Sequence, residues 1–181
     1  MLRAVTFLLA ALTGASGPAC GADLSAAEQK IAQYVDAHAA ESNQLLEKLV
    51  NINSGTFNVE GVRKVAAVLR PEFEALGFKI RWIPMDEVHR AGHLVAERTG
   101  AHGKRVLLIG HMDTVFEPAS PFQKFEPKGD SAIGPGSQDM KGGLVVMLYS
   151  LKALAAAGAL DGKITVFLTG DEEHQIGRAH V

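Results

Sequence analysis

The chain has 181 residues, 47% of them hydrophobic, enough to bury the core of one ordinary domain and too many for a disordered type. Its 18 basic and 20 acidic side chains leave a formal charge of -2, so nothing in the balance points to nucleic acid or to a strongly charged surface as a partner. The single cysteine, Cys20, excludes an internal disulfide framework and a cysteine-based zinc site.

Arg3 precedes the apolar run Ala4 to Leu12, and small residues from Gly14 to Ala19 follow. A positive start, a short apolar stretch and a small-residue exit make a secretory signal peptide the expectation for residues 1–22, with cleavage after Ala19 or Ala22. A frayed helix and a lipid anchor on Cys20 are the alternatives. The run is too short to span a bilayer. Export would place the mature protein, residues 23–181, in the periplasm or outside the cell, with no further membrane role.

Ser25 to Asn51 has apolar residues at helical spacing, with Ser25 and Glu28 placed as a capping box and a break allowed near His38 to Ser42. Asn53-Ser54-Gly55-Thr56 reads as a loop. Glu60 to Leu76 carries a second stripe, Val62, Val65, Ala66, Leu69 and Phe73, with Pro71 inside it and Gly77 as its stop. Phe78 to Ile83 and His93 to Glu97 read as strands. Val106-Leu107-Leu108-Ile109 and Ile164 to Leu168 are continuous apolar runs, the pattern of strands buried on both faces. Between them Gly143 to Ala157 reads as an apolar helix closed by Gly158. Strand, helix and strand in this order predict an α/β fold with a mixed, largely parallel sheet flanked by helices. Ligands of such sheets bind outside the carboxyl ends of the strands.

Three segments at those ends carry chemistry. His111 and Asp113 lie two apart after the first apolar run, so in extended chain they share a face. The pair fits a metal-binding imidazole oriented by a carboxylate, or a structural hydrogen bond. Asp139 stands in the loop Gly134-Pro135-Gly136-Ser137-Gln138-Asp139-Met140-Lys141-Gly142-Gly143. This loop fits neither a P-loop nor a dinucleotide fingerprint, which leaves Asp139 as a ligand or as a helix cap. Asp171, Glu172 and Glu173 follow the second apolar run, as an exposed acidic turn or as carboxylates gathered for a cation. Neighbouring glutamates there could divide the work, one holding a metal and one facing water as a general base. One His with several carboxylates suits zinc, with manganese or cobalt as alternatives, and more than three carboxylates suits two ions. Trp82 is expected to pack. His38, His89, His93 and His102 are expected at the surface or in loops, and Lys141 in solvent, with a part in orienting the Asp139 loop as its alternative.

Gly-His-Met-Asp-Thr-Val at 110–115, the Gly-Pro-Gly-Ser-Gln-Asp-Met-Lys-Gly-Gly loop and Gly-Asp-Glu-Glu at 170–173, in this order, resemble the M20 metallopeptidases, the glutamate carboxypeptidase and aminoacylase group. The resemblance covers roughly residues 45–173. It implies the N-terminal part of a zinc-peptidase-like catalytic domain, truncated, at residues 23–181. It implies that His111 ligates one metal, Asp139 bridges two and Glu173 ligates the second. Glu172 is implied as the general base toward the bridging water, Asp113 as the support of His111, and the Asp139–Met140 peptide as cis. The implied cofactor is a pair of Zn2+ ions, or Co2+ or Mn2+. The implied substrate is a small peptide or N-acyl amino acid, with release of a C-terminal glutamate or similar residue, and the intact parent would be a homodimer. Family members are longer. They add an acid and a His downstream as ligands and an inserted domain that shapes the pocket; His174 and His180 are not at ligand positions. The tail from Gln175 leaves the family pattern, and at least Arg178 to Val181 are expected to be foreign to it. Two readings follow: an amide hydrolase for the parent, and a metal-binding piece without turnover for the 181 residues alone.

Overall fold

The computed structural model describes residues 23–174, so the expected leader and the tail from Gln175 lie outside the described residues. Helix α1 (Ala26–Ala37) begins with the expected capping box: the Glu28 amide donates to Ser25 Oγ, and Glu28 accepts from the Ser25 amide. Where one helix with a break was expected, two form, and His38 is the joint before α2 (Ala39–Val50). The His38 ring is not a free surface group. It stacks on Tyr34, and its Nδ1 lies 2.8 Å from the Tyr34 carbonyl at the end of α1.

Helix α3 (Val59–Ala75) runs through Pro71 and buries Val62, Val65, Ala66, Leu69 and Phe73, the stripe that the spacing predicts. Strands β1 (Lys79–Met85) and β2 (Arg90–Arg98) form an antiparallel pair around a short 3-10 turn. Strand β2 starts three residues ahead of the expected His93, so His93 is a strand residue, and its ring meets Phe167. Strand β3 (Arg105–His111), the small hairpin β4 (Glu126–Lys128) and β5 (Ser131–Ile133), helix α4 (Lys141–Ala156) and strand β6 (Lys163–Thr169) complete the order.

The main sheet has the order β1-β2-β6-β3. It is mixed: β1–β2 and β2–β6 are antiparallel, and β3–β6 is the parallel pair of this sheet. The β3–α4–β6 crossover brings two strand ends, His111 and Thr169, side by side. One core joins Leu49, Leu69, Phe73, Leu94, Leu144, Leu148, Val166 and Leu168 between helices and sheet.

Burial of β3 on both faces is not what the structure has. Val106, Leu107 and Ile109 are 44%, 59% and 63% exposed, because β3 is an edge strand. Leu107 and Ile109 pair with Thr165 and Phe167, whereas Ile164, Val166 and Leu168 of the same β6 are buried toward the helices. An unbroken apolar run reports what a strand can bury, and its neighbours decide what it does bury.

Candidate metal centre

The acidic and imidazole groups reach the site from three segment ends. His111 is the last residue of β3, and the Met112 amide donates to the Thr169 carbonyl at 2.8 Å, which ties the two strand ends together. Beyond Thr169 the chain turns and offers Glu172 and Glu173. Asp139 comes from the glycine loop ahead of α4. There Gly136 has φ +74°, and a Cβ on Gly142 would stand 2.3 Å from the Ser137 carbonyl oxygen, so the tight turn admits glycine alone. The Asp139–Met140 peptide is cis, as the resemblance implies.

Ligand atoms of His111, Asp139 and Glu173 all lie within 4.8 Å of one another. His111 Nε2 is 2.9 Å from Asp139 Oδ1. The helix-cap alternative for Asp139 fails: Met140 is the N-cap of α4, no side chain caps it, and the Asp139 carboxylate turns to the imidazole instead. Glu172 Oε2 stands 4.0 Å from His111 Nε2, half exposed, and among the described residues its carboxylate makes no hydrogen bond. The loose acidic turn left open by the sequence is therefore drawn in toward His111.

Asp113 is the organiser. It is fully buried, accepts the Thr56 hydroxyl at 2.7 Å on Oδ2, and takes the Glu172 and Glu173 amides at 3.1 Å on Oδ1 and Oδ2. Its Oδ1 lies 3.4 Å from His111 Nδ1, and its carbonyl oxygen 3.1 Å from the same nitrogen. One carboxylate thus orients the imidazole and the glutamate pair together. Burial raises its pKa, but the bonds from His111, Thr56 and the two amides outweigh that and hold it below the ordinary value. Burial lowers the His111 imidazole, yet its bonds to Asp113 and Asp139 win and lift it to about 9. Both ring nitrogens face oxygen acceptors, so the metal-free ring holds two protons, and a cation would take the place of the one on Nε2.

Glu173 is held above the ordinary carboxylate value, first by burial and then by Asp139, Asp113 and Glu172 around it. A divalent cation relieves that crowding, and one imidazole with two carboxylates is a donor set for zinc, manganese or cobalt; the residues fit the ion. A cavity of about 480 Å3, walled by Phe116, Phe122 and Ile133, has Asp139 and Glu173 on its lining, so the acid group opens onto space of ligand size.

Two residues of the surroundings escaped the sequence. Thr56 was placed only in a loop, 57 residues from the Asp113 that it bonds, and no local pattern carries that pairing. Lys141 is not solvated as expected. It is fully buried, its ammonium donates to the Ile52 carbonyl at 2.8 Å, and burial pulls its pKa down to about 8.

The family model described as peptidase family M20/M25/M40 matches residues 107–181. Carboxypeptidase G2 of Pseudomonas sp. (strain RS-16) is 40% identical over 130 residues, 71% of this chain and 31% of that protein. The chain belongs to the M20 peptidase family. Another relative, succinyl-diaminopimelate desuccinylase of Methylocella silvestris, is 35% identical over 82 residues, covering 42% of this chain and 21% of the relative. Human carnosine dipeptidase 1 shares the fold with a TM-score of 0.72 at 20% identity, over 84% of this chain and 36% of that one. The M20 metallo-carboxypeptidase Sso-CP2 of Sulfolobus solfataricus does so with a TM-score of 0.62 at 22% identity, over 73% and 31%. This M20 chain spans between about a fifth and about a third of the length of these relatives.

Proposed function

We propose that this chain is the metal-holding part of a dinuclear zinc amide hydrolase, a carboxypeptidase that releases a C-terminal glutamate or similar residue from a small peptide or N-acyl amino acid. The observation that carries the reading is the convergence of His111, Asp139 and Glu173 within 4.8 Å on an open rim, with buried Asp113 behind them. A relative named as a carboxypeptidase and others named as desuccinylases support amide hydrolysis near a carboxylate.

In this reading Asp139 would serve both ions, and His111 and Glu173 would each hold one. When bound, the metals supply Lewis acidity toward the amide carbonyl and toward water. Asp113 keeps a proton on His111 Nδ1, so that Nε2 presents its lone pair outward. Glu172, half exposed and without a hydrogen bond on its carboxylate among the described residues, takes the proton of the attacking water. As the C–N bond breaks it returns that proton to the leaving amine. The cavity beside Asp139 and Glu173 has room for one flank of a small amide.

The test is the protein expressed from its complete gene. It is expected to bind two zinc ions per chain and to release glutamate from N-acyl glutamates. Glu172→Gln is expected to cut kcat about 100- to 10,000-fold with metal content unchanged. Loss of metal in that variant, with a normal fold, would exchange the roles of Glu172 and Glu173. For the 181 residues by themselves the proposal is metal binding without turnover. Three ligand side chains come together among the described residues, and the chain spans 31% of carboxypeptidase G2. Export, from the pattern at residues 1–22, and a homodimeric parent complete the proposal. Among the described residues no helix is long and apolar enough to cross a membrane.

A further inference from the structure

Lysine is among the residue types least often fully buried, because its ammonium loses water and needs partners in exchange. Lys141 is fully buried, and no carboxylate pairs with it among the described residues. Its ammonium reaches across 89 residues of sequence to the Ile52 carbonyl at 2.8 Å. Its own amide donates to the Gly136 carbonyl at 2.7 Å, closing the loop that carries Asp139, and a Cβ on Gly136 would stand 3.2 Å from Lys141 Cδ. The side-chain stem therefore fills the inside of the loop while its tip leaves it.

The far end of that bond lies at the head of the segment that braces the other half of the site. Two residues on from Ile52, the Ser54 carbonyl accepts the Thr114 amide at 2.9 Å, and the Thr56 amide donates back to the Thr114 carbonyl at 3.1 Å. The Thr56 hydroxyl then holds Asp113, which holds His111 and the glutamate pair. Asp139 and Asp113 stand on separate segments. The Lys141 bond to Ile52 ties the Asp139 loop to the 52–56 segment, and that segment in turn holds the Asp113 segment.

We propose that Lys141 is a positioning residue for Asp139: its ammonium pins the Asp139 loop to the 52–56 segment and so sets the spacing of the bridging acid from His111. It touches neither metal nor substrate. A Met side chain of similar length keeps the packing inside the loop but has no donor for the Ile52 carbonyl, so the loop loses its anchor while the core is kept. The inference rests on Asp139 being a metal ligand, as proposed above.

The experiment uses the protein expressed from its complete gene, with Lys141→Met, Lys141→Leu, Asp139→Asn and the double variant Lys141→Met/Asp139→Asn. Zinc affinity is read by competition with a chromophoric chelator, kcat and KM on an N-acyl glutamate, and thermal unfolding in chelator. Lys141→Met is expected to weaken zinc about 10- to 100-fold, the range for groups that support a ligand without touching the metal. Its kcat should fall with KM nearly unchanged, while unfolding of the metal-free form stays cooperative. In the double variant the zinc loss should be little more than in Asp139→Asn alone, since both act through one ligand. Parent-like affinity and kcat in a folded Lys141→Met overturn the inference, as do fully additive losses. If Lys141→Met does not fold, Lys141→Leu, which also lacks a donor, decides on the same terms: weakened zinc supports the anchor, and parent-like zinc binding overturns it. Asp139→Asn separates the two levels. If it binds zinc normally, the proposed function fails; if it loses zinc while the Lys141 variants do not, only the anchor fails.

Discussion

At the scale of single residues, the site is a set of charges whose values are set by one another. His111 is raised to about 9 from an ordinary 6.5, so in the metal-free protein its protonation favours the fold. That contribution is complete below about pH 6.5 and is lost as pH climbs through 9. Metal binding has the opposite sign, because the ion must displace the Nε2 proton, so zinc affinity should rise over the same interval. Thermal unfolding of the chain in chelator and then in excess zinc, from pH 6 to 9.5, is expected to give a falling and a rising curve. Equal slopes in the two series would remove His111 from the ligand set. The residue types were legible here: a His, an Asp two further on, a loop Asp and a Glu-Glu pair point to metal chemistry from their order alone. Their partners were not. Thr56 and Lys141 act across 57 and 89 residues, and neither bond leaves a trace in local spacing.

Helices and strands came through because their signals are local. The Ser25–Glu28 box, the α3 stripe and the Gly158 stop each act within a turn or two, and each stands where its spacing puts it. The misses lie where two elements meet. The break allowed near His38 to Ser42 falls at His38, and its ring contact with the Tyr34 carbonyl is what periodicity does not register. The loop before α4 is the element on which Asp139 depends, and its closure can be tested directly. Gly142→Ala would drive a methyl to 2.3 Å from the Ser137 carbonyl, against backbone that cannot swing aside. It is expected to cost about 1–3 kcal/mol in urea unfolding and to weaken zinc. Val146→Ala on the same helix, 67% exposed, should stay within about 0.5 kcal/mol. Equal costs at the two positions would mean that the loop yields without strain.

For the whole molecule the open question is the sheet's uncovered side. Leu107 and Ile109 are 59% and 63% exposed on an edge strand, an arrangement that invites another strand or an apolar layer. The 181-residue chain is expected to bind a hydrophobic dye and to associate as its concentration rises. Leu107→Lys with Ile109→Lys should suppress both while leaving zinc binding intact. An unsubstituted 181-residue chain that stays monomeric and binds no dye in sedimentation and fluorescence would sink this expectation. The sequence by itself determined the α/β class, the order of the helices and of the four main-sheet strands, the family and the metal-type residues, because polarity along a strand or helix and the residue types in a turn are properties of the local chain. Only the tertiary structure decided that β3 is an edge, that Asp139 is no cap, that Lys141 is buried and that Asp113 serves the imidazole and the glutamates together. Those outcomes depend on which distant segments pack against one another, and burial, hydrogen-bond partners and pKa are set by that packing.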